Sequence, residues 1–256
     1  MKNIILVTGS TSGLGLIIAE KLESKGFIVY RGDRKAADTK HDNDLILDIT
    51  NDKNCSLAIK TIVEKEGKID GLINVAGYTL VGPTDSFSHE EYLKILNTNT
   101  VGAFRLIKEV ITYFKKQKNG KIINITSLNG ILSLPNFGLY SSSKFALEAL
   151  GLALRYELNK HNIWVTNVTP GAIANKGNIK GKMPHKTLRE KSWLAKVLMP
   201  MVTREQIADE IEKILINPTP PARVILGNDA IIASFLQKLL PLFIWDKIML
   251  YVWNKK

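Results

Sequence analysis

The N-terminus of the chain combines a short apolar strand, a glycine-rich turn and a helix. Residues 3–8 read Asn-Ile-Ile-Leu-Val-Thr, a β-branched run typical of a strand buried on both faces. Glycines follow at positions 9, 13 and 15, and the amphipathic helix predicted over 16–25 ends at Gly26. Backbone N–H groups and a helix N-terminus converge at such a turn. It can therefore hold a diphosphate.

The glycines of this turn have separate predicted roles. Gly9 allows the tight turn, Gly13 lets the backbone approach the phosphates, and Gly15 lets the helix pack closely on the strand. A glycine-containing loop without a ligand is the alternative, but the position between strand and helix favours a nucleotide site. The predicted contacts of the turn are Gly9, Ser10, Thr11, Ser12, Gly13, Leu14 and Gly15.

Strand and helix patterns alternate along the rest of the chain. This order predicts an α/β fold whose parallel sheet is covered by helices on both faces. At 256 residues, with 45% hydrophobic and 23% charged residues, the composition fits one soluble catalytic domain. We assign that domain to 1–228, with a substrate lid at about 173–202, and an apolar, basic tail to 229–256.

Cysteine and histidine usage bounds the compartment and the metal chemistry. The one cysteine, Cys55, excludes an intramolecular disulfide, which suits a reducing compartment. The first apolar run is too short for a signal peptide and is needed as a strand. The histidines lack metal-ligand spacing and have polar neighbours: His41, His89, His161 and His185. We predict a cytoplasmic protein without a metal site.

Tyr140 and Lys144 are the residues whose spacing says most about chemistry. An i,i+4 spacing places both side chains on one face of a helix. A fixed ammonium favours the phenolate, so we expect it to lower the pKa of the phenol. Such a phenol can exchange a proton with a substrate near neutral pH.

Four further segments appear in order: Asn74-Val75-Ala76-Gly77, Asn99-Thr100-Val101-Gly102, Ile125-Thr126-Ser127 and Pro170-Gly171. With the Gly-x-x-x-Gly-x-Gly turn and Tyr-x-x-x-Lys, they resemble the motifs of the short-chain dehydrogenase/reductase family. Ser127 precedes Tyr140 by 140 − 127 = 13 positions, the usual family spacing, whereas Val75 replaces an Asn of the family pattern. The resemblance extends from Lys2 to about Gly227. It implies a Rossmann-like, doubly wound sheet of about seven strands and a single-domain enzyme that forms a homodimer or homotetramer.

The resemblance also implies a hydride transfer between a nicotinamide cofactor and a substrate carbon. Tyr140 would be the general acid/base, and Lys144 would lower its pKa and hold the nicotinamide ribose. Ser127 would hydrogen-bond the substrate oxygen, and Asn99 would fix the active-site helix and a proton-relaying water. The rival interpretations are a dinucleotide-binding regulator without turnover and another dinucleotide-using enzyme, such as an epimerase.

The end of the second strand bears on cofactor choice. Asp33 follows Gly15 by 33 − 15 = 18 residues, where an acid binds the adenosine ribose and repels the extra phosphate of NADP. We therefore favour NAD over NADP, although Arg31, Arg34 and Lys35 could receive a phosphate. Asp48 resembles the family's residue at the adenine ring, or it caps a helix starting near Asn51. The remaining predicted cofactor contacts are Arg34, Ile49, Asn74, Ala76, Gly77, Tyr140, Lys144, Pro170, Gly171 and Ile173.

The predicted substrate site is apolar. Asn175 replaces a threonine of the family pattern, and the basic, amphipathic stretch 176–201 fits a lid helix over an apolar pocket. Leu134 and Leu139 suggest the same pocket. A hydrophobic secondary alcohol or ketone, of steroid-, retinoid- or lipid-like class, is the predicted substrate. Its predicted contacts are Ser127, Leu128, Phe137 and Tyr140.

The tail is strongly apolar over 231–253 and is broken by Pro241. Its interrupted run is short for a membrane span. A helix on a membrane surface, supported by the net charge of +11, is one interpretation, and packing over the substrate site or a neighbouring subunit is the other. The charge alone does not indicate nucleic acid, because no recognition motif accompanies it.

Overall fold

A parallel seven-stranded sheet forms the centre of the computed structural model, which describes residues 2–35, 41–174, 179–181 and 200–254. The strand order is β3-β2-β1-β4-β6-β7-β9, and every neighbouring pair is parallel. This confirms the predicted Rossmann-like, doubly wound fold. The strands are β1 (Ile4–Thr8), β2 (Ile28–Asp33), β3 (Asp44–Ile46), β4 (Gly71–Asn74), β6 (Gly120–Ile125), β7 (Ile163–Pro170) and β9 (Arg223–Leu226).

Helices cover both faces of this sheet. They are α1 (Gly13–Ser24), α2 (Asp52–Glu66), α3 (His89–Leu96), α4 (Gly102–Gln117), α5 (Gly138–Leu158), α6 (Arg204–Ile216), α7 (Asn228–Leu239) and α8 (Leu242–Asn254). A π-helical turn, Asn97–Val101, joins α3 to α4. Helix α1 begins at Gly13, earlier than the predicted position 16, and β2 extends to Asp33 itself.

Alternate residues of each strand enter two separate cores. In β1, Leu6 packs with Ile59 and Phe114 on one face, whereas Val7 packs with Ile18 on the other. All these side chains are fully buried. The uninterrupted apolar run of the first strand follows from this arrangement, because neither face of a doubly covered parallel sheet meets water.

The carboxyl ends of the central strands bring the sequence motifs together. The chain crosses from β1 to β4 after building β2 and β3, so the strand order reverses at the β1–β4 pair. In doubly wound sheets, ligands bind beyond the carboxyl ends of the strands at such a point. The glycine turn after β1 and residues 74–77 at the end of β4 both lie at this edge.

A second, two-stranded parallel sheet lies beside the central one. It pairs β5 (Thr79–Val81) with β8 (Ile179–Gly181), a strand inside the stretch predicted to be a lid helix. An isolated parallel β-bridge joins Ile173 and Val202, which lie at the two ends of that stretch. The predicted lid helix otherwise lies outside the described residues, as does Asn175.

The chain ends in α7 and α8, which are separated at Pro241. In α7 the buried residues are Ala230 and Ser234, one helical turn apart. Within the part of the chain that the structure describes, no helix combines the length and the apolar character needed to cross a membrane.

Candidate active site

The glycine turn is tight enough to exclude side chains at two of its three glycines. Gly9 has a φ of +67°, and a Cβ there would lie 3.0 Å from the Cα of Ala76. A Cβ at Gly15 would lie 2.1 Å from the carbonyl oxygen of Gly9. Gly13 also has a positive φ, +60°, but faces open space within 4 Å. The turn is thus a cradle of bare backbone whose middle glycine leaves room for a phosphate.

Thr8 fastens this cradle to the segment after β4. Its Oγ1 accepts hydrogen bonds from the backbone N–H groups of Val75 (3.0 Å) and Ala76 (3.1 Å). The same hydroxyl donates to the carbonyl oxygen of Ile73 at 3.4 Å. In the sequence, Thr8 ends the first strand and begins the glycine motif, but no contact is predicted for its side chain. Its role depends on a neighbouring strand 65 positions later, which no local pattern reveals.

The Asp33 carboxylate lies beside the glycine turn. Its Oδ2 accepts from the hydroxyl of Thr11 at 2.7 Å and from the Thr11 N–H at 3.3 Å. Arg31, considered as a phosphate partner, is instead buried and paired with both carboxylate oxygens of Glu23. Of the three basic residues near Asp33, Arg34 and Lys35 are therefore the ones still available to bind a phosphate.

Asp48 does not cap the following helix. The cap of α2 is Asn51, whose side chain accepts from the Asn54 N–H. Asp48 Oδ1 accepts from Thr50 N–H at 2.9 Å and Thr50 Oγ1 at 2.7 Å. Burial acts to raise the pKa of this carboxyl, but the hydrogen bonds and nearby arginines lower it overall. The adjacent Ile49 is buried against the first turn of α4.

Lys144 lies one turn after Tyr140 on α5, as the spacing predicts. Its ammonium is buried, donates to the carbonyl oxygen of Ile125 at 2.8 Å and lies 5.9 Å from the centroid of the Tyr140 ring. Burial disfavours a charged ammonium and lowers the pKa of Lys144 to about 8. The lysine is thus poised to change charge just above neutral pH.

The Tyr140 phenol has a raised pKa, opposite to the direction predicted from the Tyr-x-x-x-Lys spacing. Burial raises it, and hydrogen bonds with the side chains of Ser127 and Thr79 lower it by less. The predicted effect of Lys144 is missing because its ammonium points to the Ile125 carbonyl rather than to the phenol. The phenol consequently keeps its proton at neutral pH.

Ser127 follows β6 and is buried beside this phenol. It is the N-cap of a short 3₁₀ turn, Leu128–Gly130, and its hydroxyl accepts from the Asn129 N–H at 3.2 Å. Asn129 in turn accepts from Ser141 on α5 at 3.3 Å. These contacts link the serine turn to the helix that carries Tyr140.

Asn99 lies in the π-helical turn and holds the segment before β5. Its Oδ1 accepts from Tyr78 N–H at 3.0 Å, and its Nδ2 donates to the Tyr78 carbonyl at 2.9 Å and to Ser143 Oγ at 3.1 Å. Gly77 fits between this amide and the lysine: its missing Cβ would lie 2.9 Å from Asn99 Oδ1 and 3.9 Å from Lys144 Nζ. The four predicted catalytic residues therefore belong to one neighbourhood.

A row of asparagine amides crosses the sheet beneath this site. Asn74 Nδ2 donates to Asn124 Oδ1 at 2.9 Å, and Asn124 Nδ2 donates to Asn167 Oδ1 at 3.1 Å. The row ends where Asn167 Nδ2 donates to the backbone carbonyl of Glu148. Asn74 was predicted as a cofactor contact. Its amide N–H₂ donates within the sheet, and its buried Oδ1 has no hydrogen-bond partner among the described residues.

The segment after β7 is held by a residue that the sequence did not single out. Asp229 in the first turn of α7 accepts from Ala172 N–H at 2.7 Å, and a Cβ at Gly171 would overlap its carboxylate. Pro170 ends β7, and Gly171 N–H donates to the Leu226 carbonyl at 2.8 Å. Pro170 and Gly171 thus lie at the same carboxyl edge of the sheet as the glycine turn. Ile173 follows them two residues later in the chain.

Apolar side chains flank the hydroxyl pair unevenly. The Phe137 ring lies 6.4 Å from that of Tyr140, and Leu128 is half-buried next to Ser127. Leu139, predicted to line the pocket, is buried with Leu80 and Ile95 in a cluster against which Tyr140 also packs. Among the described residues, no group of His, Cys, Asp and Glu side chains is arranged to hold a metal ion.

Comparisons with known proteins agree with this fold. The family model described as short chain dehydrogenase matches residues 3–182. The 3-ketodihydrosphingosine reductase of Bacteroides thetaiotaomicron is 39% identical over 169 residues, which are 66% of this chain and 63% of the reductase. The uncharacterized oxidoreductase YbbO of Escherichia coli is 27% identical over 97% of this chain and 94% of its own. A solved short-chain dehydrogenase from Streptomyces avermitilis superposes with a TM-score of 0.81, at 25% identity and with 99% and 96% of the two chains covered.

Proposed function

Because the chain belongs to the short-chain dehydrogenase/reductase family, whose members use a nicotinamide cofactor, we propose that it reduces a hydrophobic ketone to a secondary alcohol. The observation that carries the proposal is the meeting of Ser127, Tyr140 and Lys144 at the edge where the glycine turn lies. The bound nicotinamide would supply or accept the hydride. The protein groups would bind the oxygen and move the proton.

The chemistry of the protein groups follows from their protonation. The raised pKa of Tyr140 leaves a phenol that can donate its proton to the oxygen as it becomes an alkoxide. Ser127 adds a second hydroxyl that can hydrogen-bond the same oxygen and stabilise its developing charge. Lys144 would return a proton to Tyr140 after each turnover and would hold the nicotinamide ribose. Asn99 would fix the backbone that surrounds this lysine.

The protonation state of Tyr140 favours reduction over oxidation near neutral pH. Alcohol oxidation needs a phenolate to accept the hydroxyl proton, and burial disfavours that form. Ketone reduction uses the phenol, which is the form that burial favours. We therefore assign Tyr140 as the general acid of a reductase, with the reverse reaction promoted by high pH.

We assign NAD as the preferred dinucleotide. The proposal is supported by the Asp33 carboxylate, which Thr11 fixes beside the glycine turn. A carboxylate there would accept hydrogen bonds from both hydroxyl groups of the adenosine ribose and would repel a phosphate on that ribose. The engagement of Arg31 by Glu23 removes one candidate phosphate partner. Asp48 and Ile49 would then flank the adenine ring.

The proposed substrate is a long-chain or polycyclic ketone of lipid-like, steroid-like or retinoid-like class. Its support is the apolar pair Leu128 and Phe137 beside the hydroxyl groups. One relative is named as a reductase of a keto-lipid, 3-ketodihydrosphingosine. The alignment spans 63% of that relative, so its keto substrate is the first compound to test.

We further propose a cytoplasmic homodimer or homotetramer. The single, buried Cys55 forms no disulfide, which suits a reducing compartment. The oligomeric state follows from the family resemblance and is measured by light scattering at several protein concentrations. A monomer at every concentration would contradict it.

The experiment that tests the function is oxidation of reduced nicotinamide, followed by absorbance. A panel of hydrophobic ketones, including a 3-keto long-chain lipid, is offered with NADH or NADPH at neutral pH. We expect turnover with at least one lipid-like ketone and a slower reverse reaction with the matching alcohol. Tight binding of dinucleotide without turnover of any ketone would contradict an enzyme and favour a dinucleotide-binding regulator.

A further inference from the structure

Helices α7 and α8 expose an unusual number of large apolar side chains. We call the set the tail surface. Each of its members has at least 38% of its surface exposed, and it comprises Ile231, Ile232, Phe235, Leu236, Leu239, Leu242, Phe243, Ile248, Leu250 and Tyr251. Scattered exposed apolar residues are ordinary, but a run of ten within 21 consecutive residues marks an interaction surface.

The orientation of α7 makes this surface outward-facing. The residues that α7 buries are small, Ala230 and Ser234, whereas Phe235 and Leu239 are 62% and 65% exposed. A helix on a water-exposed surface normally has the reverse arrangement, with its apolar stripe against the core. Within the described part of the chain, packing against the interior therefore does not account for the apolar face of α7.

Charge distinguishes between the occupants that this surface could have. A second copy of the chain would bring another net charge of +11 to the contact. An anionic lipid surface would instead be attracted by that charge. Lysines accompany the apolar residues within the tail, at Lys238 and Lys247, and two more end the sequence. Apolar side chains with lysines and aromatic residues suit the interface of a bilayer.

Helix α7 also connects the tail surface to the active site. Gln237 donates from Nε2 to the carbonyl oxygen of Ile131 at 3.3 Å, directly after the turn that begins at Ser127. At its other end, Asp229 holds Ala172 beside the Pro170–Gly171 edge of the cofactor site. A bilayer that contacts α7 would thus lie next to the turn that begins at Ser127.

We propose that the tail surface rests on an anionic lipid bilayer, with α7 and α8 lying in its interface. The apolar side chains enter the headgroup–acyl boundary, and the lysines contact lipid phosphates. Neither helix crosses the bilayer. A lipid-like substrate would then reach Ser127 and Tyr140 from the membrane, a consequence that rests on the proposed function, whereas the binding itself does not.

Vesicle flotation tests the surface directly. The full-length protein is mixed with vesicles of phosphatidylcholine alone or of phosphatidylcholine with phosphatidylglycerol, and the floating fraction is measured. We expect flotation with the anionic vesicles, less with neutral vesicles, and weakening as salt is raised. Phe235→Ser with Leu239→Ser should lower the partition coefficient by about tenfold or more, because two exposed apolar side chains are removed from the interface.

The matched control is Leu57→Ser with Ile216→Ser. These residues are 63% and 64% exposed, close to the values of the test pair, but lie on α2 and α6. The control should float like wild type, and both variants should melt near the wild-type temperature. Failure of wild type to float on anionic vesicles overturns the proposal. An equal loss of flotation in the control variant also overturns it. So does a test variant that dissociates a dimer of the protein but floats like wild type.

The outcome is independent of catalysis. Flotation requires no turnover, and Tyr140→Phe should float like the wild-type protein. An inactive protein that floats would therefore contradict the proposed function alone, and an active protein that stays in the lower fraction would contradict the lipid surface alone.

Discussion

The ammonium of Lys144 lies 5.9 Å from the centroid of the Tyr140 ring but gives its hydrogen bond to the backbone carbonyl of Ile125. The two side chains share a helix face without a direct polar contact. Lys144 therefore gives the phenol no hydrogen bond that would lower its pKa, and burial dominates the pKa of both groups. The pKa of the lysine is lowered while that of the phenol is raised.

The lowered pKa of Lys144 predicts a pH-dependent contribution to stability. Between the folded pKa of about 8 and the ordinary value of 10.5, the unfolded chain holds a proton that the folded protein has lost. Wild-type stability from this group therefore rises with pH across that window. Lys144→Met lacks the dependence, so its unfolding free energy relative to wild type should fall by roughly 2 kcal/mol between pH 7.5 and pH 10.

Chemical denaturation at several pH values measures this difference. Lys65→Met is the matched control, because Lys65 also lies near a tyrosine ring, at 5.5 Å from Tyr30, but is exposed. The control should show little change across the same range. A pH-independent difference for Lys144→Met would mean that the buried lysine keeps its ordinary pKa.

Gly13 separates the conformational role of the glycine turn from its cofactor role. Its φ of +60° disfavours alanine by about 1 kcal/mol, but a Cβ there meets no protein atom within 4 Å. Gly13→Ala should therefore fold, with a small loss of stability, and bind dinucleotide at least about tenfold more weakly because the Cβ enters the phosphate path. Fluorescence titration with NADH measures the affinity.

Gly26→Ala is the control for backbone strain. Gly26 has a φ of +85°, also faces open space, and lies at the far end of α1. It should lose similar stability and keep the wild-type affinity for NADH. If Gly13→Ala and wild type bound NADH with equal affinity, the assignment of the diphosphate to the glycine turn would be contradicted.

Asp33 should set the preference between the two dinucleotides. Asp33→Asn keeps an acceptor for the Thr11 hydroxyl but loses the negative charge. We expect the ratio of NADH to NADPH affinity to fall by about tenfold, since repulsion of the ribose phosphate disappears. Asp42→Asn, at an exposed position, should leave the ratio unchanged. Wild-type protein that binds NADPH tenfold tighter than NADH would contradict the NAD preference at the outset.

Local sequence patterns were sufficient to predict the sheet and the placement of the main motifs. Continuous apolar runs identified buried parallel strands, and an i,i+4 spacing put Tyr140 and Lys144 on one helix face. Glycines at fixed positions identified the turn, where Gly15 leaves no space for a Cβ. Each of these features depends on residues that are close in sequence, which is why spacing revealed them.

Features that depend on distant residues were not predicted. The amide row from Asn74 to Asn167 joins three strands, and the β5–β8 pair joins residues about one hundred positions apart. The sign of the Tyr140 pKa shift was wrong because it depends on burial and on the direction of the Lys144 side chain. Burial is a property of the assembled fold, and a single sequence gives only its average tendency.

Turnover of Tyr140→Phe beside wild type, with the best ketone found in the panel, decides whether this phenol is the general acid. Removing the phenolic hydroxyl removes the proton donor, so we expect kcat to fall about thousandfold. Affinity for NADH and the melting temperature should stay near wild type, and Tyr156→Phe, at an exposed position on the same helix, should retain full activity. A Tyr140→Phe enzyme that keeps a near-wild-type kcat would contradict the assignment of this phenol as the general acid.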